Sequence, residues 1–354
     1  MGKAKVYFDR TETNCIKGVM LIFMFILHFF CYQSYFCEKV SYPQLAFMEQ
    51  YIGHLQICIA GFAFLTGYFY YYTKSKTYKY SLNKIFDLYI PYWVVLLFLL
   101  AIALITGTYS FSFPGSLLEV FAVSSEIMCF CWYIIFYVLL MLALPITIKL
   151  FSKNMVVLFI VSLLVPMVIY YGVSYFTSAE VIISLLGKFQ IYYPIAIIGY
   201  VSSRVDLFSR IDSILKNKII IIFMSFVLVI VVFMQPSWLY SFGHDNIILQ
   251  MIRKIIRIFS IPFFIYGLIN IFRIFDNKKW LTVFDKIGKY SMTMWFVHCM
   301  FFNCSKEILQ PVLYLPRYPV LVVIWGLSLC FILSVPLQML SGVLRKKIKT
   351  FRTQ

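Results

Sequence analysis

Charge is scarce in this chain, and acid scarcer still. Only 13% of its 354 residues are charged, with 31 Lys and Arg against 14 Asp and Glu. A soluble domain carries about a quarter charged residues, so a water-exposed fold of this length is excluded. Cys-x-x-Cys pairs are missing too. The nine cysteines, including Cys129 and Cys131 two apart, follow no zinc or redox spacing and read as small apolar side chains. No metal site is expected, and a disulfide among Cys31, Cys37 and Cys304 stays an open alternative. There is no low-complexity linker, no internal repeat of the kind many transporters show and no hydrophilic stretch long enough to fold alone. Residues 1–354 are therefore expected to form one integral membrane domain, with a short basic tail from about 344.

What the chain does have is apolar sequence, 62% of the total. Ten runs are long enough to cross a bilayer: 14–34, 51–72, 86–106, 129–149, 155–176, 183–201, 219–235, 249–272, 288–305 and 319–343. The expected fold is all-α and polytopic, multi-pass in the cell membrane. The first run is too long for a signal-peptide core and lacks a small-residue cleavage site, so it reads as a retained span. A net charge of +17 raises the question of nucleic acid, but the positions of the cations answer it. Lys74, Lys76, Lys79 and Lys84, then Arg204, Arg210, Lys216 and Lys218, then Arg345, Lys346, Lys347, Lys349 and Arg352 in the tail all fall outside the spans on one side. That is the positive-inside pattern, and ten spans place both termini in the cytoplasm. The expected partner is a lipid bilayer, not a nucleic acid.

Within the first run, His28 stands in Val-Met-Leu-Ile-Phe-Met-Phe-Ile-Leu-His-Phe-Phe with Lys17 the nearest charge upstream. An ionisable residue in hydrocarbon is costly and marks a functional site by default. Eleven residues are about three helical turns, which puts Lys17 and His28 on one face roughly 16 Å apart. Neutral imidazole is a general base suited to pH 7, and Lys17 can meet an anion.

Further patterns follow in order. Residues 62–68 read Phe-Ala-Phe-Leu-Thr-Gly-Tyr, where a glycine allows close approach of a backbone or ligand. A basic segment runs through Lys84 into Leu-Tyr-Ile-Pro-Tyr-Trp at 88–93, with Pro91 expected in the first turn of the third span. Trp132 and Tyr133 open Trp-Tyr-Ile-Ile-Phe-Tyr. Residues 287–298 place Ser291, Trp295 and His298 on one helix face. Arg253 and Arg257 share a face at the outer start of the eighth span, against the positive-inside trend; lipid phosphates or an anionic acceptor are the alternatives there. Glu119 and Glu126 read as solvated loop carboxylates.

Taken in this order, the motifs resemble the membrane acyltransferase 3 family, multi-spanning bacterial enzymes that O-acylate envelope carbohydrates. Lys17 stands where the family has Arg, and Lys84 to Asp87 where it has Arg-x-x-Arg. The resemblance implies transfer of an acyl group, acetyl in most of the family, from cytoplasmic acyl-coenzyme A to a hydroxyl of an envelope or extracellular carbohydrate or lipid-linked glycan. His28 would be the catalytic residue, with Lys17 and Lys84 holding the donor. His298, Ser291, Trp295, Arg253, Arg257, Trp132 and Tyr133 would serve the acceptor or support the site. Acyl-coenzyme A would be a co-substrate, with no cofactor resident. A multi-spanning transporter or exporter of a small solute or lipid-linked sugar is the alternative, because spans with buried charges suit it equally.

Overall fold

A backbone inside a bilayer has no water to bond, so each apolar run must close its own hydrogen bonds as a helix. The computed structural model describes residues 6–31, 51–109, 112–124, 126–241, 247–275, 279–303 and 306–353, and among these every regular element is helical. Helix α1 is Arg10–Phe30. A 3-10 turn at Ile52–Gln56 leads into α2, Ile57–Tyr71, which is followed by α3, Tyr78–Ile105, and the short α4, Phe113–Val120. Next come α5, Trp132–Phe151; α6, Met155–Phe176; α7, Glu180–Arg204; and the short α8, Leu207–Leu215. The chain continues as α9, Lys218–Ser241; α10, Ile247–Ile274; α11, Lys279–Val297; a 3-10 turn, His298–Phe301; α12, Lys306–Leu313; and α13, Pro319–Thr353.

Among the described residues, nine helices are long and apolar enough to span a membrane, matching nine of the ten expected runs. The remaining run, 288–305, is divided differently. Helix α11 begins earlier and carries Lys279, Asp285, Lys286 and Lys289, and the chain tightens into the 3-10 turn at His298. Cys37 and Cys304 lie outside the described residues.

The helices group into two units. One comprises residues 1–24, 53–77 and 143–288. Its centre is the pairing of α2 with α7, where glycines replace side chains. A Cβ on Gly67 would overlap the carbonyl of Ala196, and one on Gly199 the carbonyl of Phe64. Of the two alternatives raised by the sequence, the close approach at Gly67 is therefore to a backbone. Thr66 bonds back to its own helix at Phe62 O, 2.9 Å away, and the Ser203 hydroxyl donates to Tyr68 O at 2.8 Å. Gly288 likewise lets α11 meet the backbone of Asn14 on α1, beside a 2.9 Å bond from Asn14 to Asp285. Ahead of α1, the Tyr7 hydroxyl donates to Asp212 at 2.7 Å, and burial followed by that bond pushes it above the ordinary tyrosine range.

Gly67→Ala is expected to lower stability by about 2 kcal/mol or more, because two packed backbones must separate. Gly172→Ala, where an added Cβ meets nothing within 4 Å, should be neutral or stabilising by roughly 0.5–1 kcal/mol. Thermal unfolding of the two variants in one detergent compares them.

The second unit comprises residues 25–52, 78–142 and 289–354. Helix α3 starts at Tyr78, so Pro91 lies in its fourth turn rather than its first. Proline has no N–H, which leaves the carbonyl four residues back without its helical donor. That carbonyl belongs to Asp87, and Arg345 of α13 donates to it at 2.7 Å while its Nε lies 3.2 Å from the Asp87 carboxylate. The start of α3 and the end of α13 thus lie on the same side of this unit, as the distribution of cations requires.

From Ile105 the chain turns back. The Tyr89 hydroxyl donates to Phe121 O and the Trp93 ring N–H to Val120 O, each at 2.9 Å, while the Tyr92 hydroxyl donates to Glu119 O. Tyr92 is thirteen residues before Ile105, roughly 20 Å along the helix. The segment expected to be an outer loop therefore re-enters alongside α3. Irregular backbone at that depth is tolerated only where protein satisfies it, and the aromatic side chains of Leu-Tyr-Ile-Pro-Tyr-Trp do so.

Candidate active site

In the second unit, His28 stands in the last turn of α1, and His298 opens the 3-10 turn after α11. His28 Nδ1 lies 2.8 Å from His298 Nε2. His298 is fully buried, and its Nδ1 bonds to the carbonyl of Trp295. A carbonyl only accepts, so His298 Nδ1 must carry the proton and its Nε2 must be the bare nitrogen. His28 Nδ1–H then donates to that Nε2, which leaves the lone pair of His28 on its own Nε2. Among the described residues no hydrogen bond reaches this atom, and His28 is only half-buried. The chain from the Trp295 carbonyl through His298 to His28 sets a tautomer. That is the task of the third member of a Ser-His-Asp arrangement.

Aromatic rings fix both imidazoles. Phe130 stacks on His28 with centroids 3.7 Å apart and planes 9° from parallel, and Phe25 lies 5.2 Å from His298. Phe130 has φ of 59°, a left-handed conformation that costs a bulky residue about 1–2 kcal/mol. A conformation like that persists only when its surroundings impose it.

Here they include Glu119. Its side chain is 1% exposed, and its carboxylate accepts from the backbone N–H of Glu126, of Ile127 at 3.2 Å and of Met128 at 3.4 Å. The sequence reading of Glu119 as a solvated carboxylate is corrected, whereas Glu126 is exposed as expected. A lone acid inside Leu-Leu-Glu-Val-Phe-Ala-Val was the available signal, since a carboxylate in apolar sequence needs donors. Glu119→Ala is expected to free the amides of 126–128 and lower both stability, by about 2–4 kcal/mol, and acyl transfer. Glu119→Gln, which keeps one acceptor oxygen, should recover part of each. Unfolding midpoints and transfer rates measured on the same preparations check this.

The other expected site residues fall into groups. Trp295 supplies the carbonyl that holds His298, and its ring packs edge-on against Tyr133 at 5.3 Å. Trp132 adjoins Tyr133 two residues after Phe130. Ser291 is buried one turn before Trp295. Lys84 lies 3.9 Å from Asp87, which is also paired with Arg345. Lys17 is half-buried two turns into α1, on the same continuous helix as His28. Arg253 and Arg257 are half-buried on α10, in the first unit. Phe130 and Phe25 were not singled out from sequence, and Arg345 was read there only as a cation reporting topology. Phe25 precedes His28 by three and so shares its face.

A polytopic helical membrane protein with an imidazole pair held in one tautomer, one nitrogen bare and reachable, has the equipment of a proton-transfer enzyme. Residues 10–339 match the acyltransferase domain family Acyl_transf_3, nearly the whole chain, and the protein belongs to that family. It is a multi-pass membrane acyltransferase. No curated protein and no solved structure matches it significantly.

Proposed function

We propose that the protein transfers an acyl group, acetyl in the simplest case, from cytoplasmic acyl-coenzyme A to a hydroxyl of an envelope or extracellular carbohydrate, with His28 Nε2 as the general base. The observation carrying this reading is the hydrogen-bonded chain from Trp295 O through His298 to His28. His28 Nε2 takes the hydroxyl proton, and the sugar oxygen attacks the thioester carbonyl. The tetrahedral intermediate then expels the thiolate, which recovers the proton as coenzyme A thiol. The imidazolium formed on the way lies under the face of Phe130, within cation–π range, and next to carbonyls that end α1 and α11.

Lys84 and Arg345, both in the second unit, supply cations for the donor phosphates. Arg345 changes the meaning of Asp87. The Asp87 carboxylate brings a guanidinium to the third turn of α3, and that group retains donors for a bidentate contact. In this reading the protein lies in the cell membrane with both termini cytoplasmic, an orientation that gives acyl-coenzyme A access from the inner side.

Inverted membrane vesicles loaded with surface polysaccharide in their lumen and given radiolabelled acetyl-coenzyme A from outside test the proposal. Release of free coenzyme A thiol with label in an alkali-labile polysaccharide ester is expected. A transporter would leave the thioester intact, and an intact thioester with folded protein and both substrates present would reject the reading.

A further inference from the structure

Cys129 and Cys299 are far apart in sequence, yet the structure places them together in the second unit. Cys299 Sγ donates to Cys129 O at 3.0 Å, and Cys129 Sγ lies 3.9 Å from Cys299 O. Both thiols are free and buried. The two sulfurs and a ring nitrogen of His298 all lie within 4.8 Å of one another. The Trp295 carbonyl meets both His298 Nδ1 and, at 3.9 Å, Cys299 Sγ. Nε2 faces His28.

We propose that Cys129, Cys299 and His298 Nδ1 bind a thiophilic divalent cation of the zinc class, Nδ1 giving up its bond to the Trp295 carbonyl for the metal, and that this binding switches off His28. Two sulfurs and an imidazole nitrogen form a zinc donor set. Tetrahedral bonds of about 2.3 Å to sulfur and 2.0–2.1 Å to nitrogen put such ligand atoms about 3.5–3.8 Å apart. The required closure is roughly 1 Å, within the reach of side-chain rotation. Binding releases one proton from each thiol. Two thiolates and a neutral imidazole then balance the dication, so no net charge is left in the apolar interior. Thiolate ligands also select against magnesium and calcium, which prefer oxygen.

The consequence for His28 follows from proton positions. A cation on His298 Nδ1 occupies the lone pair there, and the ring's one proton must sit on Nε2. That N–H now donates to His28 Nδ1, so the proton of His28 moves to its own Nε2. The imidazole pair holds two protons before and after, while the base lone pair no longer faces the hydroxyl. This second step rests on the proposed role of His28; the binding step does not.

The test uses reduced, metal-free full-length protein in lipid nanodiscs. Titration with Co2+ is expected to give a thiolate-to-cobalt charge-transfer band saturating at one ion per chain and displaced by ZnCl2. Cys129→Ser and Cys299→Ser should each weaken this binding by about tenfold or more. Both variants should transfer acyl groups normally without metal and need at least tenfold more zinc for inhibition. Absence of the band from wild type, or its persistence unchanged in both variants, would overturn the site. Cobalt binding with no zinc inhibition of an active enzyme would overturn the switch. Should His28→Ala itself remain fully active, the base assignment fails while the cobalt stoichiometry still reports on the site.

Discussion

Replacing His28 with alanine is expected to lower acyl transfer by roughly 10²- to 10⁴-fold, the range a positioned general base contributes, or about 3–5 kcal/mol in the barrier. Stability should change little. Removing an ionisable group from an apolar helix is favourable, while the His298 nitrogen left without its donor costs on the order of 1 kcal/mol. Loss of activity with a nearly unchanged unfolding midpoint is thus the signature of a reactive group. His28→Gln offers a sterically comparable side chain that cannot take a proton, and it should be as inactive as alanine. Transfer rates normalised to membrane-inserted protein check both. Full activity in either variant would remove His28 from the chemistry.

The second large effect is at His298, which touches no substrate in this account and acts through His28. His298→Ala removes the acceptor that holds the His28 proton on Nδ1. The ring can then populate the other tautomer and turn about its own axis. We expect a fall in kcat of at least tenfold, bounded by the ~10⁴-fold that a wrong tautomer costs in serine proteases, with KM for the donor nearly unchanged. His298→Gln puts an amide oxygen near the position of Nε2 and should restore much of kcat. A structural role alone would lower the amount of folded protein for both variants without separating kcat from KM. Steady-state kinetics on quantified protein make the distinction.

The two imidazoles show what sequence can and cannot reveal here. Apolar runs announced the helices, because hydrocarbon forces every backbone bond to close within its own segment. Polar residues inside those runs announced His28 and His298, because each must justify its cost. The motif order then pointed to the acyltransferase family, which the domain match bears out. Nothing in sequence spacing indicated that the two histidines share a hydrogen bond. That depends on how the ends of α1 and α11 meet within one unit, 270 residues apart in the chain.

The segment after α3 was misread for a related reason. Its mixed composition looks like a surface loop, and only tertiary contacts reveal that Tyr89, Tyr92 and Trp93 draw it back along the helix. Glu119 and Phe130 were lost with it, the first discounted as solvated and the second indistinguishable from any other phenylalanine in an aromatic-rich chain. Asp87 stands where the resemblance implies an Arg. The structure supplies the missing term, because Pro91 orphans the Asp87 carbonyl and Arg345 fills it. A lone irregularity in a motif was better evidence of a partner elsewhere than of a lost function.

The proposed chemistry turns on the position of one proton, and the protein contains only four histidines. Ring-¹⁵N-labelled histidine spectra of the full chain in nanodiscs, with His28→Ala used to assign the His28 signals by difference, read its tautomer directly. Protonated Nδ1 and bare Nε2 are expected for His28 near neutral pH. A His28 signal with the proton on Nε2 in the active, metal-free enzyme would contradict that chemistry.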